Sequence, residues 1–260
     1  MKGKKVKIAV YKFSSCDGCQ LQFLNMEEEL LDLAERVEFS YFLEANREVK
    51  PGPYDIAFVE GSISTPHEEE LIKQARKDSK ILVAIGACAT AGGIQALRNW
   101  GKLSEFKEAV YPNPEWIEAL DKAHPISDYV KVDYELRGCP VSKERLLSFV
   151  KQVLLGKKPY LRRDSLCMEC KRKGNVCVVV AYGLPCLGSV TQEGCGALCP
   201  AFGRGCYGCF GPSQDPQPLR LAAVFENLGL SEEEISLKFK TFTGWSESFR
   251  KVVNRYGRIR

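Results

Sequence analysis

Twelve cysteines in 260 residues constrain this chain more than any other feature, because they fall into three groups of four. Cys16, Cys19, Cys88 and Cys139 are spread over the N-terminal half. Cys167, Cys170, Cys177 and Cys186 come next, and Cys195, Cys199, Cys206 and Cys209 follow directly. Four thiolates hold one cubane iron–sulfur cluster, so the count is that of three clusters and of a chain built to move electrons. Disulfides, the other use of paired cysteines, require an oxidising compartment. The sequence shows no secretory apolar region, no twin-arginine leader and no apolar run of the roughly 18 residues a membrane span needs. The chain is therefore expected in the cytoplasm, with its cysteines as metal ligands.

Charge excludes little and supports that reading. Lys and Arg number 37 and Asp and Glu 33, so the net charge is only +4 and no nucleic-acid partner is expected, nor a membrane. Residues 1–158 alternate between strand-like and helix-like patterns. Apolar, β-rich runs occupy 5–13, 37–43, 55–61, 80–87 and 128–136. Helical spacing covers 20–35, 66–77 and 141–155, and a further helix is expected near Thr90. Residues 100–127, with Pro112, Pro114 and Pro125, read as less regular. Such alternation predicts an α/β fold, a flavodoxin-like doubly wound parallel sheet that binds ligands beyond the carboxyl ends of its strands. Cys16 and Cys19 follow the first run, Cys88 the fourth and Cys139 the fifth, so all four are expected at one sheet edge. Glu60 ends the third run at the same edge.

Residues 156–164 read as a linker. Eight cysteines and many glycines then fill a stretch with no apolar periodicity, and so short a stretch needs metal to fold. We expect three parts: 1–158 as the sheet domain with one cluster, 159–215 as a small iron–sulfur domain with two, and 216–260 as a helical extension. Ser231 and Glu234 form a capping box in that extension, and Trp245, Phe249, Val252 and Val253 a packing stripe.

Spacing alone leaves two metals open. Cys167/Cys170 and Cys206/Cys209 also suit a zinc ribbon, and hence a zinc-binding interaction module. Three features tilt toward iron. Every cysteine is used once. Proline follows Cys139 and Cys199, as it follows a ligand in bacterial ferredoxin runs. Glycines crowd the segment GCGALCPAFGRGCYGCFG, where they let backbone N–H groups approach sulfur.

The motifs SSCDGCQLQ, VEGSIST, IGACATAGGIQAL, GCP, LPCLGSVTQEGCGALCP and GCYGC resemble, in order, the small subunit of nickel–iron hydrogenases. The chain is most similar to the cytoplasmic class, such as the delta subunits of archaeal sulfhydrogenases, which are NAD(P)-linked heterotetramers. F420-reducing and heterodisulfide-reductase-linked relatives are also similar. The resemblance implies a large subunit carrying the nickel–iron site, with iron–sulfur and flavin/NAD(P)-binding subunits as further partners. It implies that Cys16, Cys19, Cys88 and Cys139 hold a proximal [4Fe-4S] cluster facing the large subunit. A medial cluster falls to Cys195, Cys199, Cys206 and Cys209, and a distal one to Cys167, Cys170, Cys177 and Cys186. Periplasmic members have histidine where Cys167 stands and proline where Cys199 stands, so here every cluster is all-cysteine. Quinone-linked respiratory relatives usually hold a single cluster, which the eight later cysteines argue against. The family's acid beyond the CxxC is Leu21 here, so no role transfers to it. Glu60 is expected as an outer carboxylate, part of a proton route or an oxygen ligand, against the plainer reading of a solvated acid. Gly92 and Gly93 allow close approach to the cluster, while His67 and His124 read as surface or packing residues.

Overall fold

The apolar run near the N-terminus forms strand β1 (Val6–Lys12) of a computed structural model that describes residues 5–257. Helices α1 (Gly18–Leu24) and α2 (Glu28–Arg36) follow, then β2 (Val37–Phe42), β3 (Tyr54–Glu60), α3 (Pro66–Lys77), β4 (Ser79–Ile85), α4 (Gly86–Ala91), α5 (Leu103–Val110), β5 (Tyr134–Leu136) and α6 (Lys143–Leu154). Neighbouring strands all pair in parallel, in the order β2-β1-β3-β4-β5. This is the flavodoxin-like order, and its topological switch point lies between β1 and β3.

Both faces of the sheet are covered, which is why β3 and β4 read as nearly unbroken apolar runs. On one face Ala57 and Val59 share a core with Ile72 and Ala75 of α3. On the other, Phe58 meets Phe23 of α1 and Phe149 of α6 edge to face, with ring centroids 5.0 and 5.9 Å apart. These three rings are fully buried. Burial of each contributes about 1.5–3 kcal/mol. Helix α3 starts where expected, at Pro66, and a complete capping box between Thr65 and Glu68 fixes its first turn.

Several elements differ from the periodic reading. The single helix expected over 20–35 is two, because Met26 is drawn into the core and Glu27 turns with φ 49°. Merging the two pieces placed Leu21 and Leu31 on a buried stripe, whereas both are exposed. Strand β4 stops at Ile85 because Gly86, with φ 84°, turns the chain straight into α4. Cys88 therefore sits on a helix, which begins before Thr90. The stretch expected to be irregular contains α5. Of 128–136 only Tyr134–Leu136 pairs as strand, because the Asp133 carboxylate rather than the ladder takes the Leu82 N–H, at 2.9 Å.

That carboxylate also accepts from Arg76 at 2.6 Å. Burial pushes its pKa up, but the Leu82 N–H and the Arg76 guanidinium outweigh it and hold it below the usual carboxylate range. A lowered folded pKa contributes stability above the unfolded value, and that contribution is lost as pH falls through the folded value. Asp133→Asn is expected to lower stability at pH 7 by about 1 kcal/mol, the worth of such a partly solvated pair. The deficit shrinks as pH falls below about 4. Chemical unfolding at pH 7 and pH 3 checks this; an equal deficit at both would remove the ionic account.

The chain divides into two compact units, the first ending at Tyr160 and the second starting at Leu161. The second contains α7 (Leu166–Arg172), α8 (Val178–Tyr182), α9 (Leu198–Ala201), α10 (Pro218–Asn227), α11 (Glu232–Phe239) and α12 (Glu247–Tyr256). The last three residues of the expected extension lie outside the described ones. Phe225, Phe239 and Phe249, from α10, α11 and α12, form a buried ring cluster with successive centroids 6.2 and 5.5 Å apart. The Ser231–Glu234 capping box opens α11. Thr241 and Thr243 donate to the carbonyls of Tyr207 and Gly208 at 2.8 and 2.7 Å. The helical tail and the cysteine-rich stretch thus form one unit, and the tail supplies the apolar core that the stretch lacks. Among the described residues, no helix is long and apolar enough to cross a membrane.

Candidate metal centres

In the first unit the site grows out of the switch point. Past the ends of β1 and β3 the two loops stay paired, Phe13 to Glu60 and Ser14 to Ser62. Asp17 then takes φ 67° and its carboxylate binds Lys12 at 2.7 Å, which turns the chain into α1 just before Cys19. Glu60 is only 2% exposed. Its two oxygens accept the N–H groups of Cys19 and Gln20, each at 3.0 Å. Burial raises its pKa, and those two N–H groups oppose the rise. Glu60 is thus a buried acid bound to the backbone beside a candidate ligand, not a solvated one.

Cys88 stands on α4 and Cys139 follows β5. The Ala87 N–H bonds the Gly138 carbonyl at 2.7 Å, so these two segments are tied together. The Val141 N–H donates to Cys19 Sγ at 3.4 Å. A Cβ on Gly86 would overlap Cys19 Sγ, and one on Gly93 would overlap Cys88 Sγ. Only glycine admits the sulfurs there.

The thiols sense one another. Burial, then Glu60, then Cys88 and Cys139, push the Cys19 thiol up. Burial, with Cys139 next, pushes Cys88 up to about 11. Burial and then Cys16 raise Cys139. Such groups stay protonated near neutral pH unless a cation joins them, whereas a metal-bound thiol is deprotonated outright. None of the twelve cysteines is joined to another in a disulfide.

The second unit holds the other eight, whose thiols also act on one another. Burial raises Cys167, and Cys186, Cys170 and Cys177 add to the rise. Burial, then Cys195 and Cys186, raise Cys199. Burial pushes Cys206 up strongly, with Cys186 and Cys209 adding to it. Cys186 Sγ accepts from Cys206 and Gly188 at 3.2 and 3.4 Å, and Cys206 Sγ from Gly208 at 3.3 Å. Two carboxylates clamp α7 to the loop before α9. Glu193, buried, binds Arg172, and Glu169 accepts the Ala197 N–H at 3.1 Å.

These donors fit thiolate-held clusters: N–H groups aimed at the sulfurs of Cys19, Cys186 and Cys206, and glycines where a side chain would fill the cradle. Among the described residues, no three His, Cys, Asp or Glu side chains close on a single metal ion. A cubane binds each cysteine through a different iron, so its thiolates stand further apart than those of a one-ion site. His124 binds Asp128 at 2.8 Å. The sequence reading missed Gly86, Val141, Glu169 and Glu193. Gly86 had a signal, a glycine directly after a buried strand; the others depend on contacts between segments far apart in the chain.

Residues 16–153 match the family described as the 20 kDa subunit of NADH ubiquinone oxidoreductase. The chain is 37% identical to the sulfhydrogenase 2 subunit delta of Pyrococcus furiosus, over 92% of this chain and all of that one. It is 32% identical to a subunit of the F420-non-reducing hydrogenase of Methanocaldococcus jannaschii, over 88% of this chain and 91% of that one. Among solved structures it is similar to a chain of an NAD+-reducing [NiFe]-hydrogenase in the H2-reduced state. That likeness has a TM-score of 0.57 and 32% identity, and it covers 61% of this chain and 96% of the other.

Proposed function

We propose, because the chain belongs to the NADH ubiquinone oxidoreductase 20 kDa subunit family and is an electron-transfer subunit of a nickel–iron hydrogenase, that its twelve cysteines hold three [4Fe-4S] clusters. The proximal set is Cys16, Cys19, Cys88 and Cys139. The medial set is Cys195, Cys199, Cys206 and Cys209, and the distal set Cys167, Cys170, Cys177 and Cys186. Bound there, the clusters supply one-electron carriers between the nickel–iron site of a large subunit and an iron–sulfur and flavin partner that binds NAD(P), with sulfur or polysulfide as a further acceptor.

One observation carries this reading. Cys16 and Cys19 follow β1, Cys88 follows β4 and Cys139 follows β5, all past the carboxyl ends of the strands where such sheets place their ligands, and Glu60 at the end of β3 holds the Cys19 N–H. The chain's own residues do the positioning. Glu60 fixes the backbone of Cys19 and Gln20 through two N–H bonds. Val141 and Gly208 aim N–H groups at sulfur, and such bonds, with solvent exposure, set cluster potentials. Ile94 and Leu97, exposed on the turn after α4, offer apolar surface beside Cys88 for the large subunit.

A second reading keeps the ligands and changes the acceptor. Similarity to the gamma subunit of the coenzyme F420 hydrogenase of Methanococcus voltae, 35% identical over 60% of this chain, supports an acceptor other than NAD(P). An F420-reducing or heterodisulfide-reductase-linked complex is the form this takes. The anaerobically purified chain is expected to hold roughly 12 irons, three clusters of four, and negligible zinc. Metal analysis and the visible spectrum check this. A colourless protein with zinc near two and iron near zero would sink the proposal in favour of a zinc-binding interaction module.

A further inference from the structure

Residues 171–184 of the second unit expose a run of cations followed by several apolar side chains, with an exposed cysteine among them. Val176, Val180 and Tyr182 are 57%, 86% and 61% exposed. Leu184 is exposed beside them. Cys177 opens α8 in their midst and is itself exposed. Val180 on this short helix faces water while Val178 enters the core, and exposed apolar patches of this kind mark protein contacts.

The edge has one sign of charge. Lys171, Arg172 and Lys173 end α7 and are exposed, and a tight turn joins them to Val176, with the Asn175 N–H on the Cys170 carbonyl at 3.0 Å. Over residues 165–204 the carboxylates are Glu169 and Glu193 alone, against Lys171, Arg172, Lys173 and Arg204. Both carboxylates are turned inward: Glu169 accepts the Ala197 N–H and Glu193 is buried on Arg172. No acid of this segment is therefore left at the edge of the patch to balance its lysines.

We infer that this surface docks an acidic electron-transfer protein, its apolar centre on Val180 and Tyr182 and its carboxylates on Lys171 and Lys173. The inference rests on the reading that Cys177 is a cluster ligand, and it adds which face the acceptor meets and what charge that acceptor carries. Apolar contact excludes water over the exposed ligand. Complementary charge speeds encounter and fixes orientation.

The test uses the whole complex, isolated with the chains that accompany this one. Val180→Asp places a charge in the apolar centre, Lys171→Glu with Lys173→Glu reverses the edge, and Val180→Leu is the conservative control. Iron content and hydrogen-dependent reduction of methyl viologen, a small dye that needs no protein docking, are read first. An unsubstituted complex whose chain holds no iron overturns the cluster reading itself. With iron and dye reduction at the unsubstituted level, both charge variants are expected to weaken the hold on an acidic iron–sulfur or flavin chain by at least about tenfold. That chain leaves the complex at lower salt, while Val180→Leu retains it. The inference is overturned, with the cluster reading intact, if both variants keep every chain at the salt the unsubstituted complex tolerates. It is equally overturned if the chain released is the large subunit or a basic protein.

Discussion

Serine in place of Cys19 is expected to abolish hydrogen-dependent reduction of every acceptor, dyes included, while the large subunit keeps its nickel. Cys19 is the most enclosed of its set. It is buried, its sulfur takes the Val141 N–H, and its own N–H is held by Glu60. A serine oxygen is a harder donor than sulfur and suits iron–sulfur centres poorly. Its shorter bond also leaves the Val141 N–H and the cradle beside Gly86 facing the wrong atom. Loss of an outer partner alone costs a metal site about 10–100-fold, so loss of a ligand is expected to cost more. Hydrogen-driven dye reduction, nickel content and iron content of the intact complex are the measurements. Unchanged dye reduction in a folded Cys19→Ser complex would contradict the assignment.

Cys199→Pro is expected to convert the medial site to a three-iron cluster. Cys199 lies in the first turn of α9, where a missing N–H costs least. Its thiol is raised by burial, then by Cys195 and Cys186, one from each proposed set. With three cysteines left at the site, one iron is expected to be lost, leaving a centre that is paramagnetic when oxidised and higher in potential. Each 59 mV of rise is about 1.4 kcal/mol for one electron. Reduction of low-potential acceptors then slows more than that of high-potential ones. Proline at 199 also pushes Leu198 away from helical angles, so α9 is expected to fray at its start. Full iron content with no three-iron EPR signal would show that Cys199 is not a ligand and would undo the division of the later eight cysteines.

Much of this was legible in the chain. Buried parallel strands leave continuous apolar runs, so the sheet could be read from IAFV in β3 and ILVAI in β4. The cysteines could be placed because, in such a fold, whatever follows a strand lies at the ligand edge. Periodicity failed where one helical stripe ran through Met26. A pattern of apolar residues does not say that the chain turns between two of them.

The twelve thiols, their order after the strands and the alternation of strand and helix are covalent and local facts, and sequence alone determined them. Contacts between distant segments were decided only by tertiary structure. Glu60 could be named but not assigned, because its role depends on two N–H groups 40 and 41 residues away. Gly86 needs glycine for its φ of 84°, and the closeness of Cys19 Sγ, brought there by α1, adds to that need. The tail read as an extension, yet its phenylalanines are the core of the cysteine-rich unit. A residue type sets what chemistry is possible. Burial and the neighbour that arrives from elsewhere in the chain set which of those possibilities is used.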